Sequence, residues 1–190
     1  VPAADLARRT GLSKPTVSTI QKNLEEDGLV RRGDPVRGKI GKPSIPIELE
    51  PDGVLSVGLK VGRRSADLAL LNLSGEVRSR LHTTYDYPMP EPVFDFLRDG
   101  AKTLLEDLSP KLRKRVCGIG IAAPFELWKW HDLHGLDAER FQSWKDIDFA
   151  TQVAGFSDLP VFVGNDATAA CRAEHLYGRG RQFRDYAYFF

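Results

Sequence analysis

Residues 4–30 read ADLARRTGLSKPTVSTIQKNLEEDGLV. Two short helices joined by a tight turn account for this stretch. Ala3, Leu6 and Ala7 share one face of a first helix running from Ala3 to about Arg9. Thr10-Gly11-Leu12 supplies the turn. Ser13 is a good N-cap, and Pro15 falls in the first helical turn, where its missing N–H costs nothing. Val17, Ile20 and Leu24 recur at helical spacing and are expected to face inward, with Gly28 closing the helix.

Leu29–Arg32 then reads as a short strand, and Ile45, Ile47 and Leu49 alternate as a second. Gly33 to Ser44, rich in Gly, Lys, Arg and Pro, joins them. Helix, turn, helix and a strand pair with a basic loop make a winged helix-turn-helix. Its second helix is the recognition helix, whose outer face meets the DNA major groove. That face carries Lys14, Pro15, Ser18, Thr19 and Lys22, with Ser13 and Thr16 near the backbone. Short hydroxyls permit close approach to base edges, and lysines neutralise phosphates. Arg37, Lys39 and Lys42 of the wing are expected to reach a neighbouring groove or backbone, and Gly38 and Gly41 let that loop bend.

The charge is distributed accordingly. The whole chain of 190 residues is nearly neutral at +1, yet residues 1–43 hold nine basic and five acidic side chains. A basic head on a mildly acidic body favours double-stranded DNA as partner over a winged helix used only for protein contacts. No apolar run approaches the roughly 20 residues that span a bilayer. Cys117 and Cys171 form no metal-like pair, and reduced thiols in the cytoplasm are the simplest expectation.

Near Glu50-Pro51-Asp52-Gly53 the pattern changes, which divides the chain into a DNA-binding domain, residues 1–50, and a second domain, residues 51–190. In the second, strands are expected at Val54–Val61, Ala66–Leu73, Glu76–Thr84, Val116–Ala122 and Val161–Val163, the fourth buried on both faces. Helices are expected at Pro92–Leu108, at 146–155 and at Ala167–Tyr177. A further strand should begin at Tyr186–Phe190. The fold class is therefore α/β with an N-terminal winged helix. An apolar Phe189-Phe190 at the last position suggests a fragment, with more chain beyond.

Three further strings carry a resemblance. VLSVGLKVGRRSADLALLNLSGEV spans 54–77, GIGIAAP spans 118–124, and PVFVGNDATAACRAEHLYGRG spans 160–180. With the head, and with Gly-Lys-Pro-Ser at 41–44, they make the chain resemble the ROK family of repressors, open reading frames and kinases. The resemblance implies the first lobe of an actin-like, ribonuclease-H-like sugar-kinase fold. It implies that Asn165 and Asp166 contact sugar hydroxyls, Asp166 matching the kinases' catalytic base. An Asp at a strand's carboxyl end suits that chemistry, although any Asp there could merely cap the following helix.

Two departures stand out. Where the kinases carry a carboxylate that supports the metal-nucleotide, this chain has Lys60, followed by Val61-Gly62-Arg63-Arg64-Ser65. A lysine cannot hold magnesium, so the resemblance implies a sensor and not an enzyme, with Asp166 a vestigial base. Where the kinases have glycine after Pro124, this chain has Phe125-Glu126-Leu127-Trp128-Lys129-Trp130-His131. Trp128 or Trp130 could stack on a sugar, or could cap the core or a dimer surface. His131 and His134 around Asp132 are weak evidence for a metal, and no cofactor is evident. The family's structural zinc motif falls beyond Phe190. The expected protein is a transcription regulator, a repressor in sense, that responds to a sugar or sugar derivative and acts as a homodimer or higher homo-oligomer. A ROK sugar kinase with a DNA-binding head is the alternative, and a ligand-free scaffold a third reading.

Overall fold

The computed structural model describes residues 1–35, 45–129 and 141–190. They form two compact units. One comprises Val1–Val54 with Asn72–Ser74, the other Leu55–Leu71 with Gly75–Phe190.

In the smaller unit, α1 (Ala3–Thr10) ends at Gly11, whose φ of 71° is the left-handed conformation glycine adopts without strain. The helix α2 (Lys14–Glu26) starts as its sequence demands: the Ser13 hydroxyl accepts from the Thr16 N–H at 3.3 Å. Strand β1 (Val30–Arg32) pairs antiparallel with β2 (Ile47–Leu49), so that Arg31 lies opposite Glu48. Arg32 binds the Glu25 carboxylate of α2 at 3.0 Å. Gly53 is fixed by a close approach: a Cβ there would stand 2.3 Å from the Gly28 carbonyl oxygen.

One expectation fails here. Val17 is buried, but Ile20 is 43% exposed. Among the described residues, Leu6, Leu12, Val17, Ile20, Leu24 and Leu49 line an open hollow of about 280 Å³. Helical spacing puts Ile20 and Val17 on the same face, but burial also needs a neighbour to cover it.

The larger unit is built on a five-stranded sheet in the order β5-β4-β3-β6-β7. Its strands are β3 (Leu55–Val61), β4 (Ser65–Asn72), β5 (Val77–Thr84), β6 (Val116–Ala123) and β7 (Val161–Asn165). The pairs β3–β6 and β6–β7 are parallel and β4–β5 is antiparallel. An antiparallel ribbon extended by parallel strands is the ribonuclease-H-like arrangement. Strict alternation in β3 buries Leu55, Val57, Leu59 and Val61 on one face, joined there by Leu68, Ile119 and Ile121. Helix α3 (Pro90–Glu106) covers that face with Val93, Leu97 and Leu104. Each such side chain, fully buried, contributes roughly 1.5–3 kcal/mol. Gly100 brings α3 close, since a Cβ there would lie 2.6 Å from Leu68.

A short helix α4 (Pro110–Arg113) leads into β6. Between β6 and β7, Trp144 stacks on Phe149 and donates its indole N–H to the buried Pro88 carbonyl at 2.6 Å. Phe149 opens α5 (Phe149–Ala154), capped by Asp148, whose hydrogen bonds to Thr151 hold its carboxyl below the usual range. Helix α6 (Asp166–Tyr177) follows β7 directly.

Two strand expectations are corrected. Strand β6 is not buried on both faces: Cys117 is exposed, and Gly120 and Ala122 are only half-buried. Tyr186–Phe190 forms no strand. Its residues are apolar enough, but a strand exists only when hydrogen-bonded to another, and none among the described residues pairs with it.

Candidate functional sites

On α2, Lys14, Pro15, Thr16, Ser18, Thr19 and Lys22 are all exposed, as is Ser13 ahead of it. Their side chains are not equally free. Ser13 and Thr16 share a hydroxyl–hydroxyl hydrogen bond of 2.8 Å, which ties both to the helix start. Thr19 donates back to the Pro15 carbonyl at 3.2 Å. Lys22 stands 3.6 Å from Glu26, with both side chains well exposed, so water screens the pair. Lys14 and Ser18 have no partner among the described residues. The wing residues Arg37, Lys39 and Lys42 lie outside the described residues.

In the larger unit, Asn165 and Asp166 stand at the junction of β7 and α6, the carboxyl end of a parallel strand. Asn165 is the N-cap: its Oδ1 accepts from the Thr168 N–H at 3.0 Å. Its amide nitrogen donates to Asp166 Oδ1 at 3.1 Å, and the Ala167 N–H donates to the same oxygen at 2.9 Å. The capping role read for Asp166 therefore belongs mainly to Asn165. Asp166 Oδ2 has no partner among the described residues.

Lys60 shares this end of the sheet. In register, Lys60 pairs with Ala122 and Ala122 with Gly164, so the three stand in one row on the face away from the core. At about 4.8 Å per strand, Lys60 and Gly164 are roughly 10 Å apart across the sheet. A Cβ on Gly164 would meet nothing within 4 Å, so the row is open there. The Lys60 ammonium lies 5.5 Å from the Phe190 ring centre. Arg63 and Arg64 sit in the β3–β4 turn beside it. The Tyr85 hydroxyl holds that turn, 2.9 Å from the Gly62 carbonyl and 2.8 Å from that of Ser65. Burial pushes its pKa up to about 12.

Trp128 is half-buried against the core, the core-capping alternative of the two expected for it. Trp130, His131, Asp132 and His134 lie outside the described residues. Phe125 is the residue that sequence reasoning passed over. It is 73% exposed, directly after Pro124 at the end of β6. Four nearby aromatic or aliphatic residues gave no way to tell which one faces solvent. Among the described residues no His, Cys, Asp or Glu group could hold a metal ion. No helix is long and apolar enough to cross a membrane.

Comparison with known proteins places these features. A MarR family model matches residues 1–40, and a ROK family model matches residues 56–189. The chain belongs to the ROK family. This ROK chain is 24% identical over 188 residues to the xylose repressor of Bacillus spizizenii, covering 99% of itself and 48% of that repressor. It is also 24% identical to the DNA-binding transcriptional dual regulator NagC of Escherichia coli K12, over 95% of itself and 44% of that protein. The chain thus spans about half the length of the relatives it matches. A crystal structure of a ROK family transcriptional regulator, a homolog of the E. coli MLC protein, superposes with a TM-score of 0.63 at 21% identity. It covers 96% of this ROK chain and 46% of the other, and shows the shared fold.

Proposed function

We propose that this ROK chain comes from a sugar-responsive transcription regulator, a repressor that binds a double-stranded DNA operator as a cytoplasmic homodimer. The observation that carries this reading is the unequal state of two strands, β3 and β7, at the same end of the sheet. At β7, Asn165 and Asp166 present a carboxylate oxygen free to accept from a sugar hydroxyl. At β3, Lys60 stands where a metal-nucleotide would need a carboxylate. Phosphoryl transfer takes most of its catalysis from metal and nucleotide positioning, and the cationic Lys60-Val61-Gly62-Arg63-Arg64 run offers no carboxylate to Mg²⁺. These residues do not fit a magnesium-nucleotide. Sugar recognition needs only the β7 end.

The head supplies the output. Lys14, Pro15, Ser18, Thr19 and Lys22, with Ser13 and Thr16 near the backbone, are the proposed DNA contacts on α2. Arg37, Lys39 and Lys42 are those of the wing. The relatives' names make xylose and N-acetylglucosamine the first sugars to try. The sugar acts by binding one of two states of the dimer more tightly, which shifts the population that fits the operator.

The test is fluorescence anisotropy of operator DNA titrated with the full chain, with and without xylose, glucose and N-acetylglucosamine. A sugar-dependent change in affinity without sugar turnover is expected. The kinase reading is favoured by the free Asp166 oxygen alone. ATP-dependent phosphorylation of any of these sugars, abolished by Asp166→Asn, would establish it in place of ours.

A further inference from the structure

We propose that Phe125 is the stacking platform for the ligand, and that the ligand is therefore a cyclic sugar presenting a flat C–H face. This rests on the sugar-binding reading above and adds the residue that selects ring over open chain.

The position comes from register. Ala123, the last residue of β6, pairs with Asn165, the last of β7. Phe125 lies two residues past Ala123, and Asp166 one past Asn165. Phe125 and Asp166 thus follow adjacent strands at the same end of the sheet.

The presentation comes from the turn. Phe125 is 73% exposed, whereas Leu127, two residues on, is 3% exposed and Trp128 packs on the core. The segment is pinned on both sides of the ring, by β6 before it and by Leu127 after it. Glu126 between them has a φ of 54°, the one positive value at a non-glycine position among the described residues. A left-handed conformation is unfavourable for a residue with a Cβ and persists where the surroundings enforce it. Here the Lys129 N–H donates to the Glu126 carbonyl at 2.8 Å, and the Lys129 ammonium binds the Glu126 carboxylate at 2.6 Å. This step turns Leu127 into the core while Phe125 stays in solvent.

The chemistry follows from the pair of groups. A pyranose has hydroxyls around its edge and C–H bonds across its faces. An amide and a carboxylate suit the edge, and a large apolar ring suits a face. An acyclic polyol offers the same hydroxyls without the flat face.

The experiment is calorimetry on the full chain with xylose, glucose and N-acetylglucosamine, and with xylitol and sorbitol as acyclic counterparts. Wild type is expected to bind one of the sugars and to discriminate against its polyol. Phe125→Ala should weaken that sugar by about tenfold, narrow the ring-over-polyol preference and leave Tm unchanged. Phe125→Trp should keep the affinity and report the sugar through a saturable fluorescence shift. Unchanged affinity in Phe125→Ala, while Asp166→Ala loses binding, would overturn the platform and leave the sugar site standing. So would a Phe125→Ala that lowers Tm at unchanged affinity, since the ring would then be interior to the full chain. A wild type that binds none of the sugars would overturn both readings.

Discussion

The Asn165 amide donates to the Asp166 carboxylate across 3.1 Å, while its own oxygen caps α6. One side chain thus starts a helix and aims its neighbour. The two residues should separate on mutation. Asn165→Ala removes the cap and should cost about 1 kcal/mol of stability, seen as a lower Tm. Asp166→Ala leaves the cap in place. It should abolish the sugar-dependent change in operator affinity while sugar-free DNA binding persists. An Asp166→Ala protein that still responds to sugar would remove this residue from the site.

On α2, hydroxyls and lysines should fail differently. Ser18→Ala should weaken the cognate operator more than random DNA. Lys22→Ala should weaken both alike and reduce the salt slope by about one. Thr19 is already bonded to the Pro15 carbonyl, so Thr19→Ala tests whether that hydroxyl can also serve DNA. Anisotropy titrations at several salt concentrations separate these outcomes. Parallel loss of specificity in all three would show that another face of the helix meets the groove.

Tyr85 is half-buried and its hydroxyl reaches two carbonyls of the β3–β4 turn. Tyr85→Phe keeps the ring but removes the donated hydrogen bond. The Ser65 carbonyl still accepts from the Gly62 N–H at 2.8 Å, so the Gly62 carbonyl is the oxygen left stranded, which should cost about 1–3 kcal/mol. Hydrogen exchange at Gly62 and Ser65 should rise with it. A variant with wild-type Tm and unchanged exchange would mean that water replaces the hydroxyl without loss.

Asp67 of β4 binds Arg80 at 2.7 Å and His82 at 2.7 Å on β5. Burial raises its pKa, but these hydrogen bonds outweigh that and leave it below the ordinary value. A carboxyl lowered in the folded state stabilises above its unfolded pKa, near ~3.9, and loses that contribution as pH falls through the folded one. Asp67→Asn should therefore narrow the difference in Tm between neutral and strongly acidic buffer. An Asp67→Asn protein with the wild-type acid profile would place the acid sensitivity elsewhere.

Much of this was legible in the order of residues. Alternation in Leu55, Val57, Leu59 and Val61 marked a strand with one buried face, and Ser13 followed by Pro15 marked a helix start. Those signals are local, because a strand's period and a helix's cap are set by adjacent residues. Ile20 and Tyr186–Phe190 were misjudged because burial and strand pairing depend on partners distant in sequence. The site divided the same way. Gly164-Asn165-Asp166 at a strand-to-helix junction was readable. The contrast between exposed Phe125 and half-buried Trp128 was not, since it turns on one left-handed residue, Glu126.

The alternation of β3 has an evolutionary consequence. Leu59 and Val61 hold the sheet from one side, and Lys60 stands between them on the other. Position 60 is thus released from the packing constraints that govern both its neighbours. A lineage can change the charge at the end of this strand, in either direction, without first acquiring compensating changes in the core. Drift at one such position is enough to alter what a descendant can hold at this end of the sheet, while Leu59 and Val61 continue to hold the sheet as before.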